Sequence, residues 1–237
     1  SISGNGRRVA FQNGGTKIAA LGKDDWEIYV ADLEHDTLEK LTDNSVDDTH
    51  PSISGDGTRV VFQSGREGHW EIYMADLTHG TQQRITNNSV DDKHPSISAN
   101  GNRVAFEGNP YCVRDLQDGT TQEIRYTIIR KFRGKTSVIE RNGGEYPSIS
   151  DDGSRVAFRS SVGRILLADL QKGAVRRITP RHRPARKNKK LGKNDHYACI
   201  SGNGNRIAFT RTLGDHLGMT GSYIYVAFEK DGSLSAK

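Results

Sequence analysis

Histidine and tyrosine side chains recur at one place in the sequence of this chain of 237 residues. Each directly precedes the Pro or Ala of a short repeated motif: His50, His94, Tyr146 and Tyr197. His196 precedes Tyr197, and three aspartates lie nearby: Asp48, Asp92 and Asp195. Imidazole and carboxylate groups bind divalent metal ions, and imidazole can act as a general base. The pattern predicts a site for a divalent metal, or for a ligand bound with the tyrosines, at these positions.

A second interpretation assigns the same positions to the scaffold. Residues 44–48 and 88–92 are near-duplicates, which favours loop chemistry inherited with a repeat and a lining without metal. The sequence shows no Ser-His-Asp arrangement, no phosphate-binding glycine loop and no paired-cysteine site. Cys112 and Cys199 lack metal-site spacing, and both are predicted to be buried free thiols.

A repeated segment positions these residues. It occurs five times, at 1–11, 52–62, 96–106, 148–158 and 199–209. Every copy contains Asn-Gly or Asp-Gly, which tolerates the positive φ of a tight hairpin. In the second copy the apolar pattern predicts strands at 51–54, 59–62, 71–76 and 83–86.

Gly-punctuated units of four short strands, returning every ~40–50 residues, are typical of propeller blades. The sequence therefore predicts an all-β, five-bladed β-propeller of four-stranded antiparallel blades, forming one domain over residues 1–237. The predicted blades are 1–46, 47–91, 92–143, 144–180 and 195–237, with a basic loop at 181–194. In such a ring His50, His94, Tyr146, His196 and Tyr197 would enter the innermost strands, so we call them the channel-mouth residues.

The residues of the repeat resemble those of a known family. Pro-Ser-Ile-Ser-x-Asp-Gly-x-Arg-Val-Ala-Phe, Ile-Tyr-x-Ala-Asp-Leu and Arg-x-Ile-Thr are similar to the repeats of TolB-like (WD40-like, PD40) β-propellers. The resemblance implies a protein partner in an extracytoplasmic assembly, periplasmic or secreted. Because such propellers usually have six or more blades, the alternative to a five-bladed ring is a longer parent with a further blade.

Two sets of charged residues recur once per repeat and are predicted to be structural. The arginines, expected in blade packing or turn bonding, are Arg8, Arg59, Arg103, Arg155 and Arg206. The aspartates, expected to cap turns, are Asp32, Asp76, Asp115 and Asp169.

The irregular segments are 12–25, 126–140, 180–193 and 210–221. All of them connect strands on the same side of a four-stranded meander, so we expect them on one face. Alternating apolar residues in 126–140 predict an extra hairpin around Arg133. Residues 176–193 hold nine of the 34 Lys and Arg and no acid, and without those nine the remaining 25 basic residues face 29 acidic ones.

The basic segments are predicted to bind an anionic partner. The candidate binding residues are Arg130, Lys131, Arg133, Arg181, Arg183, Arg186, Lys187, Lys189 and Lys190. A protein partner is favoured, and an anionic polysaccharide is the alternative. Nucleic acid is less favoured because no aromatic residues interleave the charge. No stretch approaches the ~20 apolar residues of a membrane span, so no membrane insertion is expected.

Three functions fit these observations. The favoured one is a non-enzymatic binding propeller without a cofactor. The second is a metal-assisted lyase or hydrolase acting on an acidic polysaccharide, with His50, His94 and His196 as ligands or bases. The third is a carbohydrate-binding lectin, which would require similar pockets in several blades.

Overall fold

The computed structural model describes residues 1–14, 25–132, 135–179, 193–214, 220–230 and 233–236. Every regular element in this part of the chain is a β-strand. The strands form six antiparallel sheets, and the chain divides into two compact units, Ser1–Gln122 and Glu123–Lys237. The all-β fold class predicted from the repeats is confirmed, whereas the single domain over residues 1–237 stays a prediction.

The first unit contains the sheets of repeats 1 to 3. Repeat 1 has three strands, and Ile2 adds an isolated bridge to Val9. Its strands are β1 (Arg8–Gly14), β2 (Trp26–Asp32) and β3 (Thr37–Lys40). Repeat 2 comprises β4 (Asp48–Ile53), β5 (Arg59–Ser64), β6 (Glu71–Asp76) and β7 (Thr81–Arg84). Repeat 3 comprises β8 (Lys93–Ile97), β9 (Arg103–Glu107), β10 (Cys112–Asp115) and β11 (Thr121–Glu123), whose last residue crosses the unit boundary.

The second unit contains a two-stranded sheet and the sheets of repeats 4 and 5. The two-stranded sheet is β12 (Tyr126–Phe132) with β13 (Lys135–Arg141). Repeat 4 comprises β14 (Gly144–Ile149), β15 (Arg155–Ser160), β16 (Ile165–Asp169) and β17 (Ala174–Arg177). Repeat 5 comprises β18 (Lys193–Ile200), β19 (Arg206–Gly214), β20 (Thr220–Lys230) and β21 (Ser233–Ala236). The extra hairpin predicted around Arg133 is thus confirmed by the pairing of its two strands.

Apolar residues join neighbouring repeats within each unit. Ile28 and Val30 of repeat 1 pack in one cluster with Phe62 of repeat 2. Ile72 of repeat 2 and Phe106 of repeat 3 belong to the next cluster. In the second unit, a corresponding cluster joins repeats 4 and 5. One repeat has too little core to stand alone, so these interfaces supply much of the stabilisation.

Four of the five recurrent arginines and all four recurrent aspartates make the structural contacts predicted for them. Arg8 Nε bonds Asp32 Oδ2 at 3.0 Å, and its Nη1 donates to the Gly57 carbonyl of the next repeat at 3.0 Å. Arg155 Nη1 reaches the Gly204 carbonyl at 3.2 Å in the same way. The aspartates also cap turns, as when Asp32 Oδ1 accepts the Glu34 N–H at 3.1 Å. These residues link strands and repeats, as expected from their recurrence.

Candidate functional site

Four of the channel-mouth residues share an unusual backbone conformation. His50, His94, Tyr146 and Tyr197 have φ angles of 56°, 50°, 51° and 39°. Each lies at a register shift between the first two strands of its repeat. Non-glycine residues with positive φ are uncommon and cluster where the surroundings hold them in place. The recurrence shows that this β-bulge belongs to the repeat itself.

Side chains of the preceding repeat hold two of these bulges. Gln12 Oε1 accepts the His50 N–H at 2.7 Å, and Gln63 Oε1 accepts the His94 N–H at 2.8 Å. Both glutamines directly follow the Phe of a second strand, Phe11 or Phe62. A bulge leaves a backbone donor outside the strand ladder, and the glutamine satisfies it.

The two histidines of the first unit form a close pair. Their ring centroids lie 4.6 Å apart in an edge-to-face arrangement. Nδ1 of His94 is 2.7 Å from Glu107 Oε2, and Nδ1 of His50 is 3.2 Å from Thr49 Oγ1. Burial, and secondly the charge of His94, lower the pKa of His50. Protonation of His50 is therefore disfavoured, because a charged imidazole there would lose solvation and would be repelled by the charge of His94.

The corresponding pair in the second unit consists of tyrosines. The rings of Tyr146 and Tyr197 are 4.9 Å apart, and the ring of His196 is 6.3 Å from that of Tyr197. Tyr197 is exposed. The channel-mouth residues therefore form a histidine pair in one unit and an aromatic group of three in the other.

The aspartates grouped with the histidines from the sequence have other partners. Asp48 and Asp195 are fully buried and Asp92 is 1% exposed. Asp48 Oδ2 accepts from Asn44 Nδ2 at 2.6 Å, and Asp92 Oδ2 accepts from Asn88 Nδ2 at 2.7 Å. No group of three or more His, Cys, Asp or Glu suited to a metal ion occurs among the residues that the structure describes.

Sequence reasoning missed two arginines that complete these aspartate sites. Arg66 lies over the rings of Phe62 and Tyr73, with its guanidinium carbon 5.9 and 4.8 Å from their centroids. Its Nη2 is 3.1 Å from Asp48 Oδ2. In repeat 5, Arg211 Nε donates to Asp195 Oδ1 at 2.5 Å. A stacked guanidinium thus neutralises a buried carboxylate in two separate repeats.

Arg211 is stacked in the same way, over Phe209 and Tyr225 at 5.5 and 5.0 Å. The spacing hid the equivalence, since Arg66 lies four residues after Phe62 and Arg211 two after Phe209. The available signal was an Arg two to four residues after the Phe of the second strand and before the Tyr of the third. Cys112 is a buried free thiol as predicted, but Cys199 is exposed, so that part of the prediction was wrong.

The hairpin β12–β13 holds part of the predicted basic surface. Its register pairs Arg130 with Ser137 and Lys131 with Thr136. The other candidate binding residues lie outside the described residues: Arg133, Arg181, Arg183, Arg186, Lys187, Lys189 and Lys190. At the base of the hairpin, Arg125 Nε bonds Glu123 Oε2 at 2.9 Å, which offsets part of the local positive charge.

A hollow of about 220 Å³ lies beside the hairpin, lined by Arg125, Glu140, Arg141 and Asn142. The described part of the chain contains no helix with the length and apolar character needed for a membrane passage.

Comparison with protein families supports the repeat assignment. The family model for the TolB beta propeller domain, PD40, matches residues 1–112, a little under half of the chain. Among solved structures, TolB from Acinetobacter baumannii is 20% identical with a TM-score of 0.62. That match covers 98% of this chain and 54% of the other, so this chain spans about half of that protein. The chain has the TolB-like β-propeller fold.

Further structures share this fold. A putative TolB from Agrobacterium tumefaciens is 18% identical with a TM-score of 0.62, covering 100% of this propeller chain and 78% of the other. An oligogalacturonate lyase in complex with manganese is 14% identical with a TM-score of 0.61, covering 99% and 63%. A search of curated proteins gave no match. Identities this low show the fold of the propeller and leave its function to its own residues.

Proposed function

We propose that this TolB-like propeller is a non-enzymatic binding protein that recognises an acidic protein partner through its basic segments. These segments are the hairpin β12–β13 and residues 181–194. The blades supply a scaffold, and the segments that break the repeat supply recognition.

One observation carries this proposal. The strands β12 and β13 pair with each other as a separate two-stranded sheet, inserted between repeats 3 and 4. The four-stranded sheet of repeat 4 is complete without them. Val138 is exposed in this hairpin, as are Glu140 and Arg141. An insertion that leaves the sheet of repeat 4 complete is suited to contact with a partner.

Charge favours an acidic partner. Residues 176–193 carry nine Lys and Arg without an acid, and they alone give the chain its excess of basic over acidic residues. A concentrated patch of one sign accelerates association with a partner of the opposite sign and makes the affinity salt-dependent. An extracytoplasmic location is part of the same proposal and is supported by the likeness to TolB structures.

The experiment compares two variants with the same change in net charge. The first variant carries Arg183→Glu and Lys187→Glu in the basic loop. The control carries Arg7→Glu and Lys172→Glu, at exposed positions in repeats 1 and 4. The probe is poly-L-glutamate, titrated at several salt concentrations. The first variant should lower the slope of log affinity against log salt by roughly 2, since about one ion is released per lost contact.

The control should leave the slope near that of the original protein. Equal losses in both variants would attribute binding to net charge and exclude a specific basic segment. A parallel titration with polygalacturonate tests the polysaccharide alternative, because binding to that polymer alone would contradict a protein partner.

A second candidate function is a metal-assisted lyase acting on an acidic polysaccharide. The closeness of His50 and His94 favours it, as does the fold shared with the oligogalacturonate lyase in complex with manganese. Elemental analysis of the purified protein tests this candidate. A stoichiometric divalent metal that disappears in His50→Ala would support it, whereas metal-free protein without activity on polygalacturonate in added Mn²⁺ would exclude it.

A further inference from the structure

The buried aspartates of repeats 2, 3 and 5 occupy equivalent positions, but their surroundings differ. Asp48 and Asp195 each meet a guanidinium, from Arg66 and Arg211 respectively. Asp92 has no ion pair with a residue in the described part of the chain. Its carboxylate accepts a hydrogen bond from the neutral amide of Asn88 at 2.7 Å. Repeat 3 thus has the carboxylate of this arrangement without the cation.

A pocket of about 200 Å³ adjoins Asp92. Its buried lining includes Asp92, Phe106 and Cys112, and its exposed rim includes Asn109 and Thr121. A single ordered water needs only about 10–15 Å³ measured with a water-sized probe. The pocket therefore has room for a polar group of several heavy atoms beside the carboxylate.

The register explains why this space is open. Phe106 is paired with Cys112, whereas its equivalents Phe62 and Phe209 are paired with Tyr73 and Tyr225. In the other two repeats, the Phe and Tyr rings form the platform under the guanidinium. The smaller Cys112 removes one of those rings. The residues that follow Phe106, up to Pro110, include no basic side chain.

The cations that the structure describes near the pocket do not pair with Asp92. Arg84 Nη2 and His69 Nε2 lie 2.8 and 2.9 Å from Glu71 Oε1. Arg114 also lines the pocket, and its Nη1 donates to Thr121 Oγ1 at 3.3 Å. Burial raises the pKa of Asp92, and the charge of Glu71 adds to this, against the lowering effects of Asn88, Thr86 and His69. An added cation would relieve the cost of the buried negative charge.

We propose that this pocket of repeat 3 binds a guanidinium group, which lies between Phe106 and Asp92 as the side chains of Arg66 and Arg211 do in their own repeats. Guanidinium is favoured over a compact ammonium because its planar face stacks on an aromatic ring while its edge donates to a carboxylate. The group can come from an arginine side chain of a partner protein or from a small molecule.

Gly108 leaves room for the Asp92 carboxylate beside the pocket. A Cβ built on Gly108 would collide with Asp92 Oδ1 and would lie 3.0 Å from the carbonyl oxygen of Pro110. The absence of a side chain there lets the carboxylate stay beside the pocket. Gly108→Ala should therefore weaken guanidinium binding by displacing Asp92.

Calorimetric titration with ethylguanidinium tests the proposal on the full chain. Asp92→Asn should weaken binding at least about tenfold, as expected when a buried charge partner is lost. Cys112→Tyr restores the second ring of the platform that holds Arg66 and Arg211 in their repeats, so it should not weaken binding while Asp92 is retained. Asp91→Asn is the matched control, because the exposed carboxylate of Asp91 bonds Lys93 and its loss should not affect the titration.

A second measurement uses the thiol in the pocket. In a Cys199→Ser background, Cys112 should react about tenfold faster with a cationic methanethiosulfonate than with an anionic one of similar size, because Asp92 concentrates cations locally. Asp92→Asn should remove this preference, and ethylguanidinium should slow the cationic reaction. The same rates for both reagents would overturn the proposal, as would ethylguanidinium binding that survives Asp92→Asn.

Two further probes identify the source of the group. A blocked Gly-Arg-Gly peptide that binds more tightly than ethylguanidinium would indicate an arginine of a protein partner. Free arginine that binds more tightly than the peptide would indicate a small molecule. Failure of all three guanidinium probes would overturn the proposal, while leaving the basic segments and their poly-L-glutamate test unaffected.

Discussion

Repeats 2 and 5 have closely similar strands, but equivalent side chains in the two repeats are buried to different extents. Ile72 and Ile224 precede the equivalent tyrosines in the third strands of these repeats. Ile72 is fully buried, whereas Ile224 is 77% exposed. Repeats 1 and 2 show a similar contrast on the opposite face of the sheet. Phe11 of repeat 1 is 37% exposed, whereas its equivalent in repeat 2, Phe62, is fully buried.

The local structure does not cause this difference. Phe11 stacks on Tyr29 at 5.8 Å, and Phe62 stacks on Tyr73 at 6.0 Å, with similar interplanar angles of 18° and 21°. A repeat therefore specifies its own ring pairs and apolar faces, while the neighbouring repeat buries them. Equivalent side chains should contribute unequally to stability, and this inequality can be measured.

The largest effect is expected for the buried phenylalanine. Phe62→Ala removes a ring from the cluster between repeats 1 and 2 and should cost about 3–5 kcal/mol of unfolding free energy. Phe11→Ala should cost about 1 kcal/mol, because much of that ring is already in water. Urea unfolding of both variants gives the comparison. Similar losses would mean that Phe11 is buried in solution.

A smaller effect is expected for the two isoleucines. Ile72→Val deletes one buried methylene and should cost about 0.5–1.5 kcal/mol. Ile224→Val changes an exposed side chain and should stay within about 0.5 kcal/mol of the original protein. Thermal unfolding at one protein concentration measures both. A loss at Ile224 that equals the loss at Ile72 would show that another surface covers it.

The smallest effect is expected in the pH dependence of stability. It compares the His50–His94 pair of the first unit with the Tyr146–Tyr197 pair of the second. The folded state lowers the pKa of His50 from its ordinary value of 6.5, so the folded protein binds fewer protons than the unfolded chain as pH falls through that value. The contribution of His50 to stability is complete above 6.5 and is lost as pH falls toward the lower, folded pKa. Facing groups include His94, Thr49, Gln12 and Glu107.

His50→Gln should therefore flatten the decline of stability on the acidic side of neutrality, as followed by unfolding at successive pH values. Tyr197→Phe is the control in the other unit and should leave the pH profile unchanged, because it removes no imidazole. An identical pH profile for His50→Gln and the original protein would contradict a lowered pKa of His50 in the folded state.

Local sequence signals predicted the fold well. The third strand of repeat 2 was predicted at 71–76 and is observed at Glu71–Asp76. The Asn-Gly and Asp-Gly turns have glycines with φ near 70°, such as Gly6 and Gly57. These features depend on neighbouring residues in sequence, where turn chemistry and alternation are reliable guides.

The site was less predictable because its contacts join distant residues. The sequence placed Asp48 with His50, but the carboxylate turns to Arg66 on the following loop. The positive φ at His50 depends on Gln12, which lies 38 residues earlier. Tertiary structure alone reveals that Arg66 and Arg211 reach equivalent aspartates from different spacings.

The glutamine contacts also determine where repeats could be exchanged. Gln63 belongs to the sheet of repeat 2 but serves the backbone of His94 in repeat 3. A graft that transfers only the sheet of repeat 2 would remove Gln63 from the recipient chain. The backbone N–H of His94 in repeat 3 would then lose its acceptor. A transplantable module is therefore staggered: it should run from the second strand of one sheet through the first strand of the next.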